Sequence, residues 1–104
     1  MSIEVYYRLN KLLFDDRQNV TTTAQSLLSI FSISDDVKKQ IKTIVLTNLS
    51  TNEIYFGVDA TVTTANSGGV LFQKQKIEIS LKDINFSPFF IASANSSLCI
   101  EVWG

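Results

Sequence analysis

Histidine is missing from the 104-residue chain, and there is one cysteine and one proline. The missing imidazole removes the usual general base and the commonest zinc ligand. Cys99 cannot form an internal disulfide, and no histidine is present to activate its thiol. It lies between apolar residues in SLCIEVWG, where a small buried side chain is the ordinary role of a lone cysteine. Charge is also scarce. Charged residues make up 18% of the chain, against about 25% in a typical globular protein. Nine basic residues meet ten acidic ones for a net charge of -1. Lys38, Lys39 and Lys42, and later Lys74, Lys76 and Lys82, form no block that could neutralise a run of phosphates, so nucleic acid is not an expected partner. No apolar run reaches the roughly 18 residues of a membrane helix, and the start MSIEVYYRLNKLLFDD lacks the basic-then-apolar order of a signal peptide. The expected setting is a cytosol-like compartment, unless the chain leaves as part of a larger assembly.

The carboxylates do not form a recognisable site. Asp15-Asp16 and Asp35-Asp36 lack the spacing of a calcium loop and read as turn or cap residues. Glu53, Glu78 and Glu101 fall on separate predicted strands and alternate with apolar residues, so they point outward, not at a shared substrate. NSGG near Asn66 lacks the Lys-Ser/Thr ending and following helix of a phosphate loop. Sequons at Asn19, Asn48, Asn85 and Asn95 read as turn composition. No catalytic residue, cofactor or metal is expected.

What the chain does contain is apolar pattern. Hydrophobic residues make up 45% of it, enough to argue against disorder. The length fits one domain, which buries about 65% of its unfolded surface. From residue 41 onward the pattern alternates with period two. Ile77, Ile79 and Leu81 oppose Lys76, Glu78 and Ser80. Leu98, Ile100 and Val102 oppose Cys99, Glu101 and Trp103. Ile44 and Leu46 oppose Thr43, Val45 and Thr47, and Ile54, Phe56 and Val58 oppose Tyr55. NLSTNE, TANSGG, KDINFSP and NSS supply turns between these runs. Strands recurring at this spacing, with no long helical stretch between them, predict an all-β antiparallel β-sandwich or jelly-roll-like fold of about seven or eight strands.

Residues 1–40 read less regularly. SIEVYYRL can be a strand, though YRLNKLLF also fits a helix. QNVTTTAQS looks like a linker, LLSIFSI reads as a strand, and SDDVKKQ holds a helical turn with Ser34 or Asp35 as N-cap. The expected division is an N-terminal arm or first strand plus linker over 1–24 and a sandwich over 25–104. Charged runs are short and Pro88 is the sole proline, so little blunts the free edges of such a sandwich. Burial against a neighbouring subunit, or donation of the N-terminal segment to another chain, would cover them. Tyr55 and Trp103, on the less apolar faces of their strands, are candidates for stacking on a sugar ring.

The stretch IKTIVLTNLSTNEIYFGVDATVTTANSGGVLF resembles small virion proteins of tailed bacteriophages. An apolar strand ends at Asn48, a turn carries Ser50, and Ile54-Tyr55-Phe56-Gly57 follows. Val62-Thr63-Thr64 then leads to Gly68-Gly69-Val70-Leu71, a strand like KIEISL, and a terminal hairpin like PFFIASANSSLCIEVW. The likeness covers roughly residues 41–104. It implies a small sandwich, sometimes a jelly roll, of the capsid decoration or cement, head-fibre or minor tail type. Such proteins are commonly homo-oligomers, often trimers. The resemblance implies a structural role without turnover, other virion proteins as partners, and synthesis in the host bacterial cytoplasm. Ile3, Val5, Tyr6, Tyr7 and Leu9 of the arm are the candidate subunit contact. The alternatives are a tail-adaptor component and a carbohydrate-binding module using Tyr55 and Trp103.

Overall fold

The computed structural model describes residues 11–80 and 87–104. Its strands are β1 (Leu12–Val20), β2 (Gln25–Ser26), β3 (Thr43–Asn48), β4 (Ile54–Gly57), β5 (Gly69–Leu71), β6 (Lys76–Ser80), β7 (Phe89–Ala92) and β8 (Ser96–Trp103). Two single helical turns, α1 (Leu27–Ile30) and α2 (Asp35–Lys38), lie between β2 and β3. The strands form two four-stranded antiparallel sheets, one in the order β1-β8-β3-β6 and the other in the order β2-β7-β4-β5. The result is an all-β, sandwich-like fold.

The pairings share one rule. β1 pairs with β8, β2 with β7, β3 with β6 and β4 with β5. A single long hairpin, with its tip between β4 and β5, would make these pairs if it were then rolled so that β8 met β3 and β7 met β4. The alternating residues drive that rolling. Ile44 and Leu46, Ile54, Leu71, Phe90 and Ala92, and Leu98, Ile100 and Val102 come from both sheets and meet in one core. Each such large side chain taken fully out of water contributes about 1.5–3 kcal/mol.

LLSIFSI, expected as a strand, instead begins with the turn α1. Ser26 is its N-cap, its side chain accepting a hydrogen bond from the Ser29 N–H. The Leu27 N–H donates to the Pro88 carbonyl at 2.8 Å, and the Phe31 N–H donates to the Leu27 carbonyl at 2.9 Å. Leu27 and Phe31, four residues apart, are both buried. A helical turn places such a pair on one face. The turn α2 follows the sequence reading: Ser34 caps it, Asp35 and Asp36 lie in its first turn and Lys38 in its last, the arrangement favoured by the helix dipole.

The linker-like reading of QNVTTTAQS also gives way. Asn19 and Val20 end β1, Gln25 and Ser26 form β2, and only residues 21–24 lie between these two strands. Val20 is fully buried, so the end of β1 belongs to the core.

The edges are better guarded than the sequence suggested. β2 and β5, which border one sheet, have two and three residues. β1, on the border of the other, carries Asp15, Asp16 and Arg17 at its middle and a register irregularity between Leu12 and Phe14. Asp16 pairs with the buried Ile100, which places it on the inner face at the rim, where it accepts a hydrogen bond from Gln18 at 2.9 Å. Very short edge strands and an inward charge both discourage pairing with stray strands.

Candidate functional site

NLSTNEIYFG, the turn from β3 into β4, is built around a buried polar side chain. Asn48 is fully buried. Its side-chain N–H groups donate to the carbonyls of Asn52 at 2.7 Å and Leu71 at 2.9 Å. Its side-chain oxygen accepts from the Ser50 N–H at 2.9 Å and the Ser50 hydroxyl at 2.7 Å. The backbone at Asn48 also donates to Gln75 O and accepts from Lys74 N–H. The side-chain amide thus ties the β3–β4 turn to the end of β5, and the backbone of the same residue ties it to the β5–β6 connection. A buried amide is stable only with such partners. Asn48 is a structural joint, and its side chain is closed to glycan attachment.

The tip of the long hairpin, residues 58–68, frames a cavity of about 260 Å³ lined in part by Gly57, Asp59, Val62, Asn66 and Gly68. One Asp59 carboxylate oxygen accepts from both the N–H and the hydroxyl of Thr61. These bonds, the hydroxyl's first, hold the Asp59 carboxyl below its ordinary value, because they favour the charged form. The expected reading of Val58 as inward fails here. β4 ends at Gly57, and Val58 is 87% exposed.

The outer faces of the two sheets differ in character. That of the first sheet carries Asp15, Arg17, Lys76, Glu78 and Glu101. Glu78 and Glu101 flank Val45 on either side, and Asp15 stands opposite Glu101. The three form a spread row across the sheet. Among the described residues, no group of three or more Asp, Glu, Cys or His side chains converges as metal ligands would. Cys99 lies half-exposed between Thr47 and Arg17, less covered than its apolar neighbours in sequence suggest, because it alternates away from the core.

The strands of the second sheet, QS, IYFG, GVL and FFIA, contain no charged residue. On its outer face Ile91, Tyr55 and Val70 sit side by side across β7, β4 and β5. Phe89 lies two residues from Ile91, and all four are half-buried. The Tyr55 hydroxyl donates to Glu53 Oε2 at 2.8 Å. That bond, then partial desolvation and the nearby negative charge, raises the Tyr55 phenol above its ordinary value. The hydroxyl is therefore engaged at the rim, and the ring offers the apolar part of its surface.

The two rings singled out for sugar stacking are on different sheets. Tyr55 belongs to the second, while Trp103 closes β8 in the first and is only 9% exposed. They cannot line one platform. Ile3, Val5, Tyr6, Tyr7 and Leu9 lie outside the described residues. Sequence reading missed the row Ile91–Tyr55–Val70. Its signal was present in FFIA, which lacks the polar alternate positions of a water-facing strand.

No helix among the described residues is long and apolar enough to cross a membrane. No known protein family, curated protein or solved structure matches the chain.

Proposed function

We propose that this is a structural virion protein of a tailed bacteriophage, of the capsid decoration, cement or head-fibre type, acting through subunit contacts without turnover. The observation that carries the reading is the strand order. Pairing β1 with β8, β2 with β7, β3 with β6 and β4 with β5 in two four-stranded sheets is the wrap of a jelly roll, an architecture recurrent in capsid proteins. The resemblance over residues 41–104 points the same way, and fold and resemblance together supply an analogy of architecture rather than a site. An uncharged outer sheet face suits a protein whose work is to be covered by its neighbours. In this reading the N-terminal residues, with Ile3, Val5, Tyr6, Tyr7 and Leu9, make a further contact with the particle.

The test is direct. Purified phage particles are analysed for the protein by quantitative mass spectrometry, and purified protein is cosedimented with particles lacking it. Stoichiometric presence and saturable binding are expected, with binding lost when residues 1–10 are deleted. Absence from the particle sinks the proposal. A minor tail or adaptor role would place the protein on isolated tails, not heads. A carbohydrate-binding role would rest on Tyr55 alone, and a specific glycan-array signal abolished by Tyr55→Ala would replace the structural reading.

A further inference from the structure

We propose that the cavity at the tip of the long hairpin is a binding site for a primary alkylammonium group, as carried by a lysine side chain or a free amine. The cavity measures about 260 Å³ and is lined within residues 57–68. Roughly 300–1,000 Å³ is usual for a whole drug-sized ligand, so this space fits one group the size of a side chain. The hairpin tip shapes it in advance. Val62 is buried against Gly57, where a Cβ would stand 3.1 Å from it. The Thr63 N–H donates to the Asn66 carbonyl at 3.0 Å, and the Asn66 N–H donates to the Thr63 hydroxyl at 2.9 Å. The Gly68 N–H donates to the Phe56 carbonyl at 2.9 Å and closes the base of the tip.

The lining sets the charge of the occupant. Asp59 is the one charged residue in VDATVTTANSG, residues 58–68. Its Oδ1 is held by the Thr61 N–H and hydroxyl. Its Oδ2 accepts no hydrogen bond, and the carboxylate has no ion-pair partner, among the described residues. An oriented, uncompensated carboxylate attracts a cation and repels an anion.

The other lining groups narrow the kind of cation. Asn66, Ser67 and Thr61 bring neutral side-chain oxygens to the same cavity. An ammonium has three donors and no acceptor, which matches one carboxylate with neutral oxygens beside it. A calcium ion takes about six to eight oxygens, for which a single carboxylate is a poor base. Val62 and the highly exposed Val58 supply the apolar part of the lining. They suit the methylenes behind the ammonium, and Val58 loses water when an alkyl chain is seated.

This site does not depend on the virion reading. The test titrates the full, isotope-labelled chain with n-butylammonium chloride by NMR, with n-butanol, sodium chloride and calcium chloride as controls. Saturable shifts of the Thr61, Val62, Ser67 and Gly68 amides are expected, with a Kd of roughly millimolar, as a ligand of so few atoms gives. Asp59→Asn keeps an oxygen for the Thr61 bonds but loses the charge. It should weaken binding by about tenfold or more, with the rest of the spectrum showing the fold intact. Capped lysine and putrescine then separate the sources: tighter binding of the first assigns a protein lysine, and of the second a free polyamine. The absence of saturable shifts in the parent overturns the proposal. So do equal shifts with n-butanol or sodium chloride, tighter binding of calcium, or unchanged binding in Asp59→Asn.

Discussion

Asn48→Ala isolates the joint that organises the β3–β4 turn. The substitution removes two donated and two accepted side-chain hydrogen bonds. The losses are unequal. The Asn52 carbonyl keeps the Ser50 hydroxyl as a donor at 3.0 Å. The Leu71 carbonyl, in the buried contact, and the part-buried Ser50 N–H lose these side-chain partners. Leaving a buried polar group unsatisfied costs about 1–3 kcal/mol. With one fully and one partly buried group, the expected loss is about 3 kcal/mol, a large share of the 5–15 kcal/mol typical of a whole domain. The melting temperature should fall by roughly 12–24 °C. Urea unfolding followed by circular dichroism gives the free energy, and calorimetry gives the midpoint. Asn48→Asp is the sharper companion. Its carboxylate would face the Asn52 and Leu71 carbonyls, while the neutral acid could still donate to one of them. The folded-state value of the new carboxyl is then raised. Its contribution is present below the unfolded carboxylate value and lost as pH rises through the folded one, so the variant should be more stable in acid than at neutrality relative to the parent. A loss under about 1 kcal/mol for Asn48→Ala, or pH-independent behaviour of Asn48→Asp, would refute the assignment of Asn48 as a buried joint.

Other substitutions address separate features of the fold. Gly69→Ala would drive a Cβ into the Phe56 ring, which is itself tilted against Phe90 at a centroid distance of 6.1 Å; a destabilisation of about 1–3 kcal/mol is expected in urea titration, partly relieved by Phe56→Leu in the same chain. Lys74 holds a φ of 62°, and Lys74→Gly should raise stability by about 0.5–1 kcal/mol, despite loss of the exposed Lys74–Leu49 carbonyl bond at 3.1 Å. The Asp59 carboxyl should titrate below the ordinary carboxylate range by NMR and move back up in Thr61→Val. Because its folded value is depressed, its stabilising contribution is present above the unfolded value and disappears as pH falls through the folded one.

Much of the architecture was legible because alternation is local. TIVLTN, KIEIS and SSLCIEVW read as strands because burying every second side chain requires only the pleat. Ser34 before Asp35-Asp36 read as a helix start because a cap acts within one turn. The turn α1 was hidden, since Leu27, Leu28, Ile30 and Phe31 suit a strand and a helix alike. The choice fell to contacts distant in sequence: the Pro88 carbonyl that receives the Leu27 N–H, and the core that takes Leu27 and Phe31 together.

The sequence by itself determined that the chain is β-rich, that it has no histidine and a single cysteine, and that a turn falls at NLSTNE. Those properties reside in composition and in patterns a few residues long. Tertiary structure alone decided that β1 lies beside β8 and that Asn48 reaches Leu71. It also decided that every charged residue of the described strands falls in one sheet. Each of these joins segments far apart in the chain, and which segments meet depends on how the long hairpin rolls, a choice no local period records.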